Sequence, residues 1–217
     1  MKRDKEMSMP QQGKNTVAML LLMGGKSSRM GLDKAQLLFD GQPFWKKIAE
    51  ELSACGKVYL SISQTYDSAV LGGYPYIRDE IPDCGIMGGL YSAFHAIEED
   101  LIFVCACDMP FMDHRFVQWM LGRWEEDTHK GLCWDGIVVY EDGRRTYTTA
   151  ALYHRRILGK LEENVRNKHL RMNTLVREEA HMLLLPMGEV ISFRSCFQNI
   201  NTPEDYRQLA ACGVLGS

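Results

Sequence analysis

Short, fully apolar runs alternate along this chain with stretches in which apolar residues recur every three or four positions. The first run, residues 17–23 (VAMLLLM), stops at Gly24-Gly25. An apolar stretch of that length closed by glycine predicts a strand buried on both faces. Residues 57–62, 76–78, 101–107 and 181–185 predict further strands. Residues 136–140 and 146–153 predict a β pair around "EDGRR", where Asp142-Gly143 favours a tight turn. Residues 44–55 place Phe44, Trp45, Ile48, Ala49 and Leu52 at helical spacing behind Pro43, a first-turn proline. Residues 87–97, 116–124, 155–165 and 172–180 predict four more helices. The stretch "NINTPEDYRQLAACG" predicts a strand tail and then a helix with Thr202 as N-cap and Pro203 as its first residue.

Strands that alternate with helices predict an α/β fold: a three-layer α/β/α domain with a mostly parallel, Rossmann-like sheet. Residues 16–217 are expected to form that single domain, and the polar residues 1–15 a flexible arm. Ligands of such sheets bind beyond the carboxyl ends of the strands. Two strands end there in unusual residues, one in Gly24-Gly25 and the other in Asp108.

Composition changes this picture little. The 217 residues are 46% hydrophobic and 24% charged, with a formal net charge of −3. A protein whose affinity came from neutralising nucleic-acid phosphates would be basic overall, so no nucleic-acid partner is expected. No apolar run approaches a membrane span or a signal peptide. The seven cysteines (Cys55, Cys84, Cys105, Cys107, Cys133, Cys196 and Cys212) contain no CxxC pair. They read as reduced thiols in a cytoplasmic protein rather than as metal ligands.

Candidate chemistry gathers in five stretches. After Gly24 and Gly25 come Ser27, Ser28, Arg29, Gly31 and Lys34. Consecutive backbone N–H groups in a glycine turn make an anion nest, and Arg29 and Lys34 add positive charge, so the loop reads as a phosphate cradle. It is neither a Walker A loop nor a GxGxxG turn. The plainer alternative is a strand-to-helix turn with solvated charges. Asp108 ends "LIFVCACDMPFM" and suits a hard cation such as Mg²⁺, or else it caps a turn. In "RDEIPDCGIMGGL", Asp79 closes a strand and Gly85, Gly88 and Gly89 open a helix. Those residues suit a base or ribose contact, or tight helix–sheet packing. Asn199 and Asn201 alternate on an extended segment and so face one way, with Asn201 a possible cation ligand. Residues 144–177 hold nine Lys or Arg, among them Arg144, Arg145, Arg155 and Arg156, against Glu162 and Glu163. This asymmetry suits an anionic second substrate or an acidic partner, or a solvated helix face.

Four of these stretches, "LLMGGKSSRMGLDKAQLLFDGQPF", "RDEIPDCGIMGGL", "FVCACDMPFM" and "NINTPED", closely resemble, in family order, the molybdenum cofactor guanylyltransferases. The resemblance implies the fold of the nucleotide-diphospho-sugar transferases. It also implies transfer of GMP from GTP to the phosphate of molybdopterin or its Mo form, with Mg²⁺ as cofactor and pyrophosphate as leaving group. Other cofactor-biosynthesis proteins or molybdoenzyme chaperones are the protein partners it suggests. By position, Leu22, Met23 and Gly24 would line the base and ribose, Gly25 would begin the phosphate loop, and Lys34 would contact the phosphates. Ser61 falls where the family often has an asparagine near the base. Asp79 falls on the base- or ribose-binding acid, and Asp108 on the Mg²⁺ ligand, helped by Asn201. Asn199 and the four arginines 144, 145, 155 and 156 are the acceptor-side candidates.

The chain departs from the family where Ile86 and Gly88 replace Pro and Ala, and where Tyr147 and Thr148 replace a His-Pro pair. Related readings are a cytidylyl-transferring pterin enzyme, whose turn usually reads Ala-Ala-Gly, and a sugar-phosphate nucleotidyltransferase. A non-catalytic GTP- or cofactor-binding chaperone is the reading from another class. In all the catalytic versions the attacking phosphate is already ionised. Positioning and charge stabilisation by Arg29, Lys34 and Asp108 are then the main tasks, with no general base.

Overall fold

The computed structural model describes residues 17–24, 37–39, 41–143 and 145–211. Gly25, Arg29, Lys34, Arg144, Cys212 and the N-terminal residues 1–15 lie outside them. The described strands are β1 (Val17–Leu22), β2 (Leu38–Phe39), β3 (Gln42–Pro43), β4 (Lys57–Ile62), β5 (Tyr76–Arg78), β6 (Leu101–Ala106), β7 (Gly136–Glu141), β8 (Arg145–His154) and β9 (Met182–Pro186). The helices are α1 (Phe44–Ser53), α2 (Gly85–Ala96), α3 (His114–His129), α4 (Leu158–Arg166), the single turn α5 (Met172–Thr174) and α6 (Pro203–Ala211).

Seven strands form one sheet in the order β5-β4-β1-β6-β8-β7-β9. β8 alone runs against its neighbours β6 and β7, and the other pairings are parallel. Alternation along β1 explains the two faces. Met19 and Leu21 enter one apolar cluster, with α1, α3 and residues 187–197. Ala18 and Leu20 enter the other, with α2, α4 and residues 172–176. The five apolar positions of α1 named above are all buried, and side chains the size of Phe44, Ile48 and Leu52 each contribute about 1.5–3 kcal/mol of transfer free energy.

Some elements differ from their predicted bounds. α2 starts at Gly85, not at 87, and α3 spans 114–129, well beyond 116–124. Residues 187–197 coil as an irregular 3-10 segment that no periodicity announced. The extended tail before α6 forms no strand. Thr202 caps α6 as expected: its Oγ1 accepts the Asp205 N–H (3.1 Å) while Asp205 Oδ2 accepts the Thr202 N–H (2.8 Å). A third small cluster of Leu37, Phe44, Ile200 and Leu209 joins α6 to the start of α1.

β8 carries a bulge. Its register against β7 shifts between the Val138–Ala151 and Tyr140–Thr146 pairs. The fully buried Tyr153 sends its hydroxyl to the Thr148 carbonyl (2.9 Å) inside that irregular stretch. A bulge frees a ladder carbonyl, and Tyr153 supplies the partner that burial would otherwise deny it.

Candidate active site

The first four strands of the sheet, β5-β4-β1-β6, end side by side in the sequence-predicted residues. Asp79 follows β5, Ser61 is the penultimate residue of β4, Met23 and Gly24 follow β1, and Cys107 and Asp108 follow β6. At roughly 4.8 Å per strand the row is about 14 Å wide. Bonds beyond the regular ladder tie it together. Met23 N–H donates to the Ser61 carbonyl (2.9 Å), Cys107 N–H to the Leu22 carbonyl (3.0 Å), and the Cys107 thiol to the Met23 carbonyl (3.3 Å).

Asp79 is held closely. Its N–H donates to the Ile62 carbonyl (2.9 Å), and its Oδ1 accepts the Ser61 hydroxyl (2.8 Å). Burial raises its pKa above the usual carboxylate range, and the Ser61 hydrogen bond opposes that rise. Among the described residues no hydrogen bond reaches Oδ2. Behind this pair lies Gly89 of α2, where a Cβ would sit 2.8 Å from Ser61 Oγ, 3.0 Å from Leu22 Cδ2 and 3.7 Å from Asp79 Oδ1. A glycine here lets the helix press against the pocket floor. Gly85, at the start of α2, is exposed, with a φ of +55°.

On the other side of the row, the C-terminal segment docks onto Asp108. Ile200 N–H donates to the Asp108 carbonyl (2.8 Å), and Asn199 Nδ2 approaches Asp108 Oδ1 (3.4 Å). Asn201 is exposed next to them, its N–H held by Asp205 Oδ2 (2.9 Å). A carboxylate and side-chain amides form an all-oxygen donor set of the kind a hard divalent cation takes.

The family model described as the MobA-like NTP transferase domain matches residues 19–182. The chain belongs to the MobA-like NTP transferase family. A probable molybdenum cofactor guanylyltransferase of Methanothermobacter thermautotrophicus is 30% identical over 196 residues, covering 86% of this chain and 95% of that protein. A molybdenum cofactor guanylyltransferase of Photobacterium profundum is 29% identical over 192 residues, covering 87% and 93%. The solved molybdopterin-guanine dinucleotide biosynthesis protein A of Archaeoglobus fulgidus shares the fold with a TM-score of 0.76 at 20% identity, over 90% of this chain and 98% of that one.

In this MobA-like transferase the remaining expected site residues separate. Met23 turns its side chain into the core, 2% exposed, so Leu22 and Gly24 are the open part of that strand end. Arg155 and Arg156 do not reach the row. β8 is antiparallel and pairs His154 with Leu101, so both arginines follow at the amino end of β6. There the Arg155 guanidinium donates to the carbonyls of Phe94 (2.6 Å), Ile97 and Glu99 (3.1 Å). Arg156 donates to the Trp134 carbonyl, and Lys160 pairs with Asp135 (2.6 Å). Much of the basic surplus of residues 144–177 thus serves the fold itself.

Arg145 begins β8 at the other end, where the β7–β8 hairpin projects past β6. Its guanidinium lies 4.8 Å from the Tyr147 ring centroid. The Tyr147 hydroxyl donates to Glu141 (2.6 Å), and Arg194 pairs with the same carboxylate (2.6 Å). Tyr147 first, and then Arg194, holds Glu141 below the usual carboxylate range against its partial desolvation. Composition and spacing gave no sign of Arg194, because it comes from the unpredicted 187–197 segment. Among the described residues, Glu51, Asp113 and His114 form a separate cluster able to ligate a metal ion. Its members already have partners: His114 Nδ1 bonds Glu51 (2.7 Å) within the cluster, and Asp113 accepts from the neighbouring Arg115 guanidinium (2.9 Å).

Proposed function

We propose that this MobA-like transferase moves the GMP group of GTP onto the terminal phosphate of molybdopterin. An acceptor-phosphate oxygen bonds to the α-phosphorus, the bond from that phosphorus to the bridging oxygen breaks, and pyrophosphate leaves. The near full-length match to relatives named molybdenum cofactor guanylyltransferase carries the reading. The row from Asp79 to Asp108 supports it.

The residues divide the work along that row. The Asp79 carboxylate is an acceptor, suited to the adjacent N–H groups of a guanine or to a ribose hydroxyl. Ser61 orients it from the next strand. Leu22 and Gly24 line the pocket beside the base and ribose, Gly25 begins the phosphate loop, and Gly85 approaches from α2. Arg29 and Lys34, by the family resemblance of their motif, would neutralise the β- and γ-phosphates that become pyrophosphate. Asp108, with Asn201, would hold Mg²⁺, which when bound supplies charge neutralisation across the phosphates. Asn199 and Arg145, with Arg144 by its place in the sequence, are the candidates to hold the acceptor. A pair of unit charges at about 4 Å is worth up to ~4 kcal/mol at an effective dielectric near 20, so two cationic side chains supply a useful part of the rate if they favour the transition state.

Incubation with GTP, Mg²⁺ and molybdopterin tests the proposal. Release of pyrophosphate together with the dinucleotide product is the expected outcome. CTP outcompeting GTP would favour the cytidylyl-transferring relative, and GTP binding with no pyrophosphate would favour a cofactor-binding chaperone.

A further inference from the structure

The chain leaves the carboxyl edge at Ile62 and forms no regular structure until the short 3-10 turn at Ser68–Leu71. Backbone carbonyls in such a stretch need partners from elsewhere. Arg78, the last residue of β5, supplies them: its Nη1 donates to the carbonyls of Ser63, Gln64 and Tyr66, each at 3.1 Å. The guanidinium also lies 5.4 Å from the Tyr76 ring centroid. Gln64, in the middle of the gathered loop, reaches back with Nε2 to the Asp79 carbonyl (2.5 Å). On the far side, Glu80 N–H donates to Ser92 Oγ (2.8 Å), and that hydroxyl donates to the Gly88 carbonyl (2.8 Å). The backbone around Asp79 is therefore gripped by the loop on one side and by α2 on the other.

We propose that Arg78 is a positioning residue for the nucleotide: it gathers residues 63–66 into one shape, and through Gln64 that loop fixes the backbone of Asp79. The inference rests on the reading of Asp79 as a nucleotide-binding residue. Arg78 acts through the loop and does not touch the ligand. Its charge suits the task, since a cation binds several carbonyl dipoles more strongly than a neutral donor does. Methionine at this position keeps much of the stem and removes every donor. Lysine keeps three donors on one nitrogen, enough for the three carbonyls, on a shorter reach.

The test uses the full chain as wild type, R78M, R78K and Q64A. The equilibrium Kd for GTP with Mg²⁺, the Tm and the amide hydrogen exchange of residues 63–67 are measured for each. R78M is expected to weaken GTP binding about tenfold and to accelerate exchange in the loop, with R78K recovering most of both effects. Q64A is expected to weaken binding by about threefold to fivefold without opening the loop. A role confined to stability would lower Tm and leave Kd within twofold of wild type, and that result overturns the proposal. If R78M fails to fold, Q64A decides on the same Kd criterion. Wild-type protein that binds no nucleoside triphosphate overturns the reading of the site and this inference with it. Wild type that binds GTP, beside R78M and Q64A that bind it equally well, overturns the inference alone.

Discussion

The hydroxyl of Ser61 donates to Oδ1 of Asp79 across two adjacent strand ends at 2.8 Å. One oxygen of a half-buried carboxylate is thereby occupied, and the carboxylate is oriented before any ligand arrives. Burial of that carboxylate places an electrostatic cost on the empty protein, which the Ser61 hydrogen bond offsets only in part.

That cost can be read in a variant. Burial raises the Asp79 pKa, so its contribution to stability is full below the ordinary carboxylate value and is lost as pH rises through the raised one. At neutral pH the charged form opposes folding. Asp79→Asn is therefore expected to melt at or above the wild-type temperature at pH 7, with the advantage gone below about pH 4. GTP binding should fall by about 10- to 100-fold, the worth of a hydrogen bond to a charged group. Thermal melts at the two pH values and a titration with Mg²⁺ and GTP check both halves.

Gly89→Ala separates stability from function in another way. The new methyl would stand 2.8 Å from Ser61 Oγ and 3.0 Å from Leu22 Cδ2. Both are side-chain atoms that can rotate away. Their displacement is offset by the roughly 1 kcal/mol by which Ala exceeds Gly in a helix. The melting temperature should stay within about 4 °C of wild type. The KM for GTP should rise about tenfold, because Ser61 has been pushed off Asp79. A large loss of stability with unchanged KM would contradict this account.

Lys34→Ala is expected to lower kcat by about 10²–10³, in line with the loss of one transition-state donor. A change under threefold, in a protein that still folds, removes Lys34 from the mechanism. Asp108→Asn is expected to shift the Mg²⁺ midpoint of activity upward by about tenfold or more. A metal titration that superimposes on wild type withdraws the ligand assignment.

Acid sensitivity has a separate source at the opposite end of the sheet. His154 stacks on Trp124, with ring centroids 5.5 Å apart, and its Nδ1 accepts the Arg156 N–H (3.0 Å). Burial, and then the charge of Arg156, lowers its pKa from 6.5 to about 4. Between those values the unfolded chain binds a proton that the folded one refuses, so stability falls as pH drops through the window. Half-exposure limits the loss to roughly 1–2 kcal/mol. His154→Asn, which can still cap the turn but cannot titrate, should show a flatter stability profile between pH 6.5 and 4 in urea melts.

The strand ends were legible because the physics that makes them is local. A continuous apolar run closed by Gly24 or Asp108 declares both a buried strand and its exposed end. α1 was equally plain, since Trp45, Ile48, Ala49 and Leu52 recur at helical spacing and enter one apolar layer. The same logic misled at Arg155 and Arg156, because a positive run shows charge but not the direction of its strand. β8 is antiparallel, and that alone carries both arginines away from the site. Arg78 was invisible for a related reason. Its partners Ser63, Gln64 and Tyr66 lie 12 to 15 positions earlier, and no period or spacing encodes a bond to a backbone carbonyl. The coil at 187–197 hides in a stretch with two non-helical residues, Val190 and Phe193, and no regular repeat.

The docking of Asn199 and Ile200 against Asp108 sets an order of events during synthesis. The two asparagine and aspartate partners are 91 positions apart in sequence. At ribosomal rates of about 5–20 residues per second, the later one is translated roughly 5–20 seconds after the earlier. The Ser61–Asp79 pair, 18 positions apart, is translated well before that. Asp108 thus receives its C-terminal partners only after the rest of the row has been translated.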